Sequence, residues 1–278
     1  MKKLLITLLV LLSVQFAIAQ LPKKNYVLTN VNLFNGVENK IFPGSIIYIS
    51  VGKIERIGKQ GDTVPKEYEV IDCMGNYAIP GLIDVHTHID NLQSAKRALL
   101  SGVTTVRTAG VSAYQDVALR DFSKAGIIAG PDFVPAGVFI SPNLEETVLA
   151  DPRLGKLIAG VQTDDELKLI VNVNIDRGAE FIKTRGTERA GLPETDPRQQ
   201  SYTQHQLKVI IDEAAKRNVP VMIHAHGDEG ARAAVLAGAM SIEHGSFLSD
   251  ETLQIMKQKG AFLVPTYVTI EDLTKPGV

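Results

Sequence analysis

Pro80-Gly81-Leu82-Ile83-Asp84-Val85-His86-Thr87-His88 is an apolar, strand-like run that ends in two histidines one residue apart. Side chains at i and i+2 of a strand share a face, so His86 and His88 can converge on one ion. Further on, Lys183 follows Phe181-Ile182, His224 follows Val221-Met222-Ile223, and His244 follows Ser241-Ile242-Glu243. Several ligand types therefore stand at the ends of several short apolar runs.

The rhythm around these runs gives the fold class. After residue 78, strand candidates at 79–85, 103–107, 133–138, 180–184, 220–223, 240–242 and 262–264 alternate with amphipathic windows. Thr163-x-x-Glu166 and Thr203-x-x-Gln206 fit capping boxes, and Gly178 and Gly260 stand where a left-handed residue ends a helix. Leu207, Ile210, Ile211 and Ala214 fall at i, i+3, i+4 and i+7, one buried stripe. Strand, helix, strand in alternation predicts an α/β fold with a parallel sheet of right-handed crossovers. If that sheet closes, it is a (β/α)8 TIM-like barrel with functional side chains at the carboxyl ends of its strands. The pattern reaches only a seventh strand before Val278, so the last βα unit is expected to be absent from this chain. The segment 141–160, long and punctuated by Pro and Gly, resists the pattern and reads as a functional connection.

Upstream, residues 25–76 read differently. Short strand candidates are separated by Asn35-Gly36 and Val51-Gly52 turn signals, which predicts a small unit of meandering hairpins. Residues 1–19 read as a signal peptide: Lys2 and Lys3, an apolar stretch over 4–12, then Ala17-Ile18-Ala19 before Gln20. The expected product is exported, periplasmic or secreted, without a stable membrane anchor. Cys73 is the single cysteine, so no internal disulfide is available, and its place beside a strand suits packing. A formal charge of -2 over 278 residues, with no basic run beyond the leader, argues against nucleic acid as a partner. A small-molecule substrate is the expected partner, and oligomeric state is not legible.

Divalent ions such as zinc take imidazole nitrogen and carboxylate oxygen, and a catalytic site leaves one position for water. Four histidines could anchor one or two such ions. An ammonium cannot coordinate, so Lys183 must be neutral or converted by carbon dioxide into a carbamate that bridges two ions. Each piece alone has a plainer reading: His-x-His as packing or surface chemistry, His224 as a core histidine, Glu243-His244-Gly245 as a loop. Their joint placement at strand ends favours metal, and His205, in the first turn of a capped helix, reads as solvated. His226 shares the face of His224 if the strand continues, as a catalytic or substrate contact; if the chain turns at Gly227, it is a loop histidine. Arg107 and Arg185, at other strand ends, would either meet an anionic substrate group or form ion pairs.

Five stretches in this order, 81–88, 102–107, 178–183, 224–227 and 241–245, resemble the metal-dependent amidohydrolase superfamily, in its imidazolonepropionase-like and Xaa-Pro dipeptidase-like branch. The resemblance runs from about residue 26 to 267. It implies a barrel over 78–278 with a small β-sandwich portion at 20–77. It implies His86 and His88 as ligands from the first strand, carboxylated Lys183 as a bridge from the fourth, and His224 and His244 as ligands from the fifth and sixth. Two divalent ions, zinc first among them, would then present a hydroxide to an amide, cyclic amide or dipeptide-like C–N bond. The family's proton-shuttling aspartate on the eighth strand is not found in this chain, which leaves His226 as the candidate catalytic side chain. Thr108 stands where an aspartate frequently follows the arginine. The competing readings are a truncated, inactive metal-binding or interaction module, and a phosphotriesterase or lactonase using the same metal site.

Overall fold

The computed structural model describes residues 24–191 and 195–266, and the leader-like residues 1–19 lie outside them. The chain divides into two compact units, Met1–Pro80 and Gly81–Val278. Among the described residues, no helix is long and apolar enough to cross a membrane.

In the first unit, β1 (Tyr26–Leu33), β2 (Phe42–Ser50) and β3 (Lys53–Lys59) form the antiparallel meander that the turn signals predict. The next two strands depart from it. β4 (Glu69–Asp72) and β5 (Tyr77–Ala78) pair parallel to β1, so the sheet order is β3-β2-β1-β4 with β5 also on β1. The described residues thus form one mixed sheet rather than two facing ones. Alternation along β1 and β2 buries Val27, Ile46 and Tyr48 in one apolar cluster and Val31, Leu33 and Ile47 in another, with Cys73 packed against the second.

The second unit alternates without exception. Its elements are β6 (Leu82–Thr87), α1 (Leu92–Leu100), β7 (Val103–Thr108), α2 (Gln115–Lys124), β8 (Asp132–Val134), α3 (Asp164–Asp176), β9 (Ile182–Arg185), α4 (Gln204–Ala215), β10 (Val221–Gly227), α5 (Asp228–Ala237), β11 (Ser241–Phe247), α6 (Asp250–Lys259) and β12 (Phe262–Val264). All ladders are parallel, in a three-stranded sheet β6-β7-β8 and a four-stranded sheet β12-β11-β10-β9. An isolated parallel bridge pairs Ile140, beyond the end of β8, with Thr184 of β9. Among the described residues the strands do not close into a barrel.

Local chemistry sets the helix ends as the sequence foretells. Thr163 with Glu166 and Thr203 with Gln206 form complete capping boxes, and Gly260 ends α6 at φ 71°. Leu207, Ile210 and Ala214 are fully buried on α4. Where regular pairing lapses after β8, side chains replace it. Asp116 accepts from the amides of Ala136 and Gly137 at 3.0 and 2.9 Å, and Asn174 brackets Val138 through both its amide and its carbonyl. Buried Thr108 donates to the same Asp116 at 2.6 Å, so it faces α2. The segment 141–160 is packed rather than loose: two 3₁₀ turns, Glu145–Ala150 and Pro152–Leu157, bury Val148, Leu154 and Leu157 in the main core.

The β2–β3 hairpin carries visible strain. Ser50 pairs with Lys53, so Val51 and Gly52 are the two loop residues, at φ 52° and 77°. That turn suits Asn-Gly, whereas a β-branched residue in the left-handed region loses roughly 1 kcal/mol or more. Val51→Asn should therefore raise stability by about 1 kcal/mol, read as a higher midpoint of chemical unfolding; an unchanged or lower midpoint would refute the strain.

Candidate metal centre

Five imidazoles and one amine gather at the carboxyl ends of the parallel strands. His86 stands in the partly buried last two residues of β6 and His88 follows just beyond it, their rings 5.3 Å apart. His224 and His226 share one face of β10, at 4.8 Å. β10 continues through Gly227 and His226 is 1% exposed, so His226 is an interior strand residue. His244 is the hub, 4.9 Å from His86, 4.5 Å from His224 and stacked on His226 at 4.7 Å.

His244 reaches that position through a backbone irregularity. Ser241 and Glu243 share a face of β11, with the Ser241 hydroxyl 2.5 Å from the Glu243 carboxylate, so simple alternation would turn His244 away. Instead His244 adopts φ 74° and Gly245 φ 65°, and β11 gains a residue against β10 between Ala225↔His244 and Gly227↔Phe247. Such a bulge re-aims a side chain. A left-handed non-glycine residue in a strand persists only where its surroundings hold it.

Protein acceptors fix which ring nitrogens are free. A carbonyl oxygen only accepts, so His88 donates from Nδ1 to Gly110 O at 2.9 Å and keeps its Nε2 lone pair. His224 donates from Nε2 to Glu188 O at 3.1 Å and keeps Nδ1. Burial holds His86, His88, His224 and His244 below the ordinary imidazole range and pushes His226 down to about 4. All are neutral near pH 7, the form that ligates metal. Donor nitrogens of His224, His226 and His244 lie within 4.8 Å of one another, a set that could hold a metal ion.

Lys183 completes the group. Burial pushes its ammonium down to about 8, and among the described residues its Nζ has no hydrogen-bond partner. An unpaired buried amine costs free energy unless another group meets it. It lines, with five histidines, Phe139, Ser112, Thr147 and Arg189, a cavity of about 620 Å³.

The remaining arginines sit elsewhere. Arg107 donates to Val85 O at 2.7 Å and to Glu243 at 2.9 Å, and Arg185 donates to Glu188 at 2.8 Å. Arg107 pairs with a carboxylate that folding brings from a distant strand, Arg185 with one three residues further along its own segment, and neither lines the cavity. His205 is exposed beside Asp164, as its place in a capped first turn predicts. Glu243, Phe139 and Arg189 carry no sequence signal of their own, because only the crossing of strands and loops sets them beside the histidines.

The loop after β9 secures β10. Gly186 N donates to His224 O at 2.7 Å, and Thr187 Oγ1 accepts from His226 N at 2.9 Å. This closeness needs bare backbone: a Cβ on Gly230 would collide with the Gly186 carbonyl. Gly230→Ala should cost about 1–3 kcal/mol, whereas Gly155→Ala, with open space around it, should cost little. Melting curves of the two variants check this, and equal behaviour would refute the loop's role.

Comparison with known proteins places the chain among relatives of known fold. A model of the amidohydrolase family matches residues 77–278. The chain is 28% identical over 267 residues to an ochratoxinase of Aspergillus niger, covering 81% of this chain and 55% of that protein. It is 26% identical over 298 residues to an imidazolonepropionase of Colwellia psychrerythraea, covering 85% and 68%. The crystal structure of a Xaa-Pro dipeptidase with bound methionine in its active site superposes with a TM-score of 0.77 at 26% identity, covering 91% of this chain and 70% of that one. The chain spans about half the length of the ochratoxinase it matches, 55%.

Proposed function

The chain belongs to the amidohydrolase family, and from that premise we propose that it hydrolyses a C–N bond in a small amide or dipeptide-like substrate. The observation that carries this reading is the convergence on one cavity of five neutral imidazoles and a buried lysine amine that has no hydrogen-bond partner among the described residues. The fold fits: we read the parallel strands as part of a (β/α)8 barrel, on the support of the matched Xaa-Pro dipeptidase structure.

In this reading His86, His88, His224 and His244 hold two divalent ions, with zinc the first candidate, and Lys183 joins them as a carbamate. When bound, such ions polarise a carbonyl oxygen and bring the pKa of water toward neutrality. The chain's own residues do the rest. With its pKa pushed down to about 8, Lys183 is uncharged in about one chain in ten at pH 7. The free amine attacks carbon dioxide, forming an N–C bond and releasing a proton to solvent. The product carries oxygen donors where the ammonium had none. His226, its Nδ1 2.9 Å from the Ser246 hydroxyl, would in this reading pass a proton toward the departing nitrogen. Phe139 gives the cavity an apolar wall.

Arg189 supplies the substrate's handle. It lines the cavity, it is exposed, and it makes no ion pair among the described residues. A carboxylate such as the free terminus of a dipeptide would meet it, the two gaining about 1.5 kcal/mol, or roughly tenfold in KM.

Three measurements test these assignments. The purified chain should contain divalent metal by elemental analysis, release amino acid from a panel of Xaa-Pro dipeptides and N-acyl amino acids, lose this activity to a chelator and regain it with zinc. His88→Ala and Lys183→Met should each lower metal content and bring hydrolysis to background; a metal-free chain inert on the whole panel would overturn the reading. Arg189→Ala should raise KM for a dipeptide roughly tenfold while leaving that for the corresponding dipeptide amide unchanged. Equal effects on the two substrates would remove Arg189 from substrate binding.

A further inference from the structure

Glu243 is fully buried, and its carboxylate collects donors from three separate strands. His86 on β6 lies 2.5 Å from one oxygen, while Arg107 on β7 at 2.9 Å and Ser241 on β11 at 2.5 Å share the other. Arg107 is itself pinned, with Nε on Val85 O at 2.7 Å, Nη1 on Ser241 Oγ at 3.3 Å and its guanidinium 5.0 Å from the Phe181 ring. Its planar fork has no freedom to leave the carboxylate.

We propose that Glu243, oriented by Arg107 and Ser241, is a positioning residue that fixes the tautomer and ring plane of His86. The inference rests on reading His86 as a metal-holding side chain. An arginine is always charged, so it keeps the facing carboxylate in its anionic, acceptor-only form. The hydrogen between Glu243 and His86 then belongs to His86 Nδ1. The lone pair is left on Nε2, at the edge of a ring that meets His88 and His244 at 5.3 and 4.9 Å. A carboxylate behind a metal-holding imidazole also strengthens it as a donor. A mere staple between strands would need none of this, since any buried pair of matching shape would serve.

The amide variant separates the two roles. In Glu243→Gln, Arg107 and Ser241 require the amide oxygen, which turns the NH2 group toward His86. Nδ1 must then accept, the proton moves to Nε2, and the lone pair leaves the cavity side. Long-range proton–nitrogen correlation spectra of the full chain, labelled with ¹⁵N-histidine and free of added metal, read this directly. The His86 signal is identified by its loss in His86→Gln. The wild-type chain should show His86 protonated at Nδ1, and Glu243→Gln should show it protonated at Nε2 with zinc affinity roughly 10- to 100-fold weaker. A wild-type Nε2–H tautomer overturns the proposal, as does unchanged zinc affinity in a folded Glu243→Gln chain. If the variant does not fold, the wild-type tautomer decides. Because that readout needs neither metal nor substrate, a chain that fails to hydrolyse amides would sink the functional reading without touching this one.

Discussion

Five imidazoles whose neighbouring ring centroids lie 4.5 to 5.3 Å apart cannot share protons freely. Two charged rings at such a distance would repel by about 3 kcal/mol even at an effective dielectric of about 20, and burial adds a desolvation cost to each. The rings must therefore be neutral, and every neutral ring has one N–H to place and one lone pair to expose. Much of the surrounding structure answers that requirement. Gly110 O takes the proton of His88, Glu188 O takes that of His224, and the Glu243 carboxylate faces His86. The lone pairs left over, together with a buried Lys183 amine that lacks a hydrogen-bond partner among the described residues, make a lining suited to a Lewis acid.

The fold makes that lining affordable in geometry by putting each donor on a rigid support. Parallel strands end together, and their last residues stand above a packed interior rather than in it. The acceptors come from the segments that follow those ends: Gly110 after β7, and Glu188 after β9. The segment after β9 runs close because bare glycines permit it at Gly186 and Gly230. At β11 the solution is different. One bulge lets Glu243 and His244, neighbours in sequence, both face the same interior.

Legibility followed range. Capping boxes at Thr163 and Thr203, the stripe on α4 and the alternation of strand with helix depend on residues three or four apart, and they stand as the sequence predicts. The histidines at strand ends were equally plain, because an apolar run followed by His-x-His has a fixed facing. Other features depend on distant partners. The parallel return of β4 and β5 onto β1 and the packing of 141–160 by Val148, Leu154 and Leu157 follow no local rule. The commitment of Arg107 to Glu243 is of the same kind, since the two lie 136 positions apart.

The sequence by itself determined the alternating α/β class, the helix termini and the residue types able to bind metal. These follow from hydrophobic period, hydrogen-bond capping and the chemistry of each side chain, all of which act within a few residues. Only the tertiary structure decided that His226 joins the other histidines, that His244 turns inward against strand alternation, that Arg107 is held by Glu243, and that Lys183 Nζ has no hydrogen-bond partner among the described residues. Those outcomes rest on which chain segments meet across the interior and on how much water they exclude. Neither quantity exists until the strands have come together.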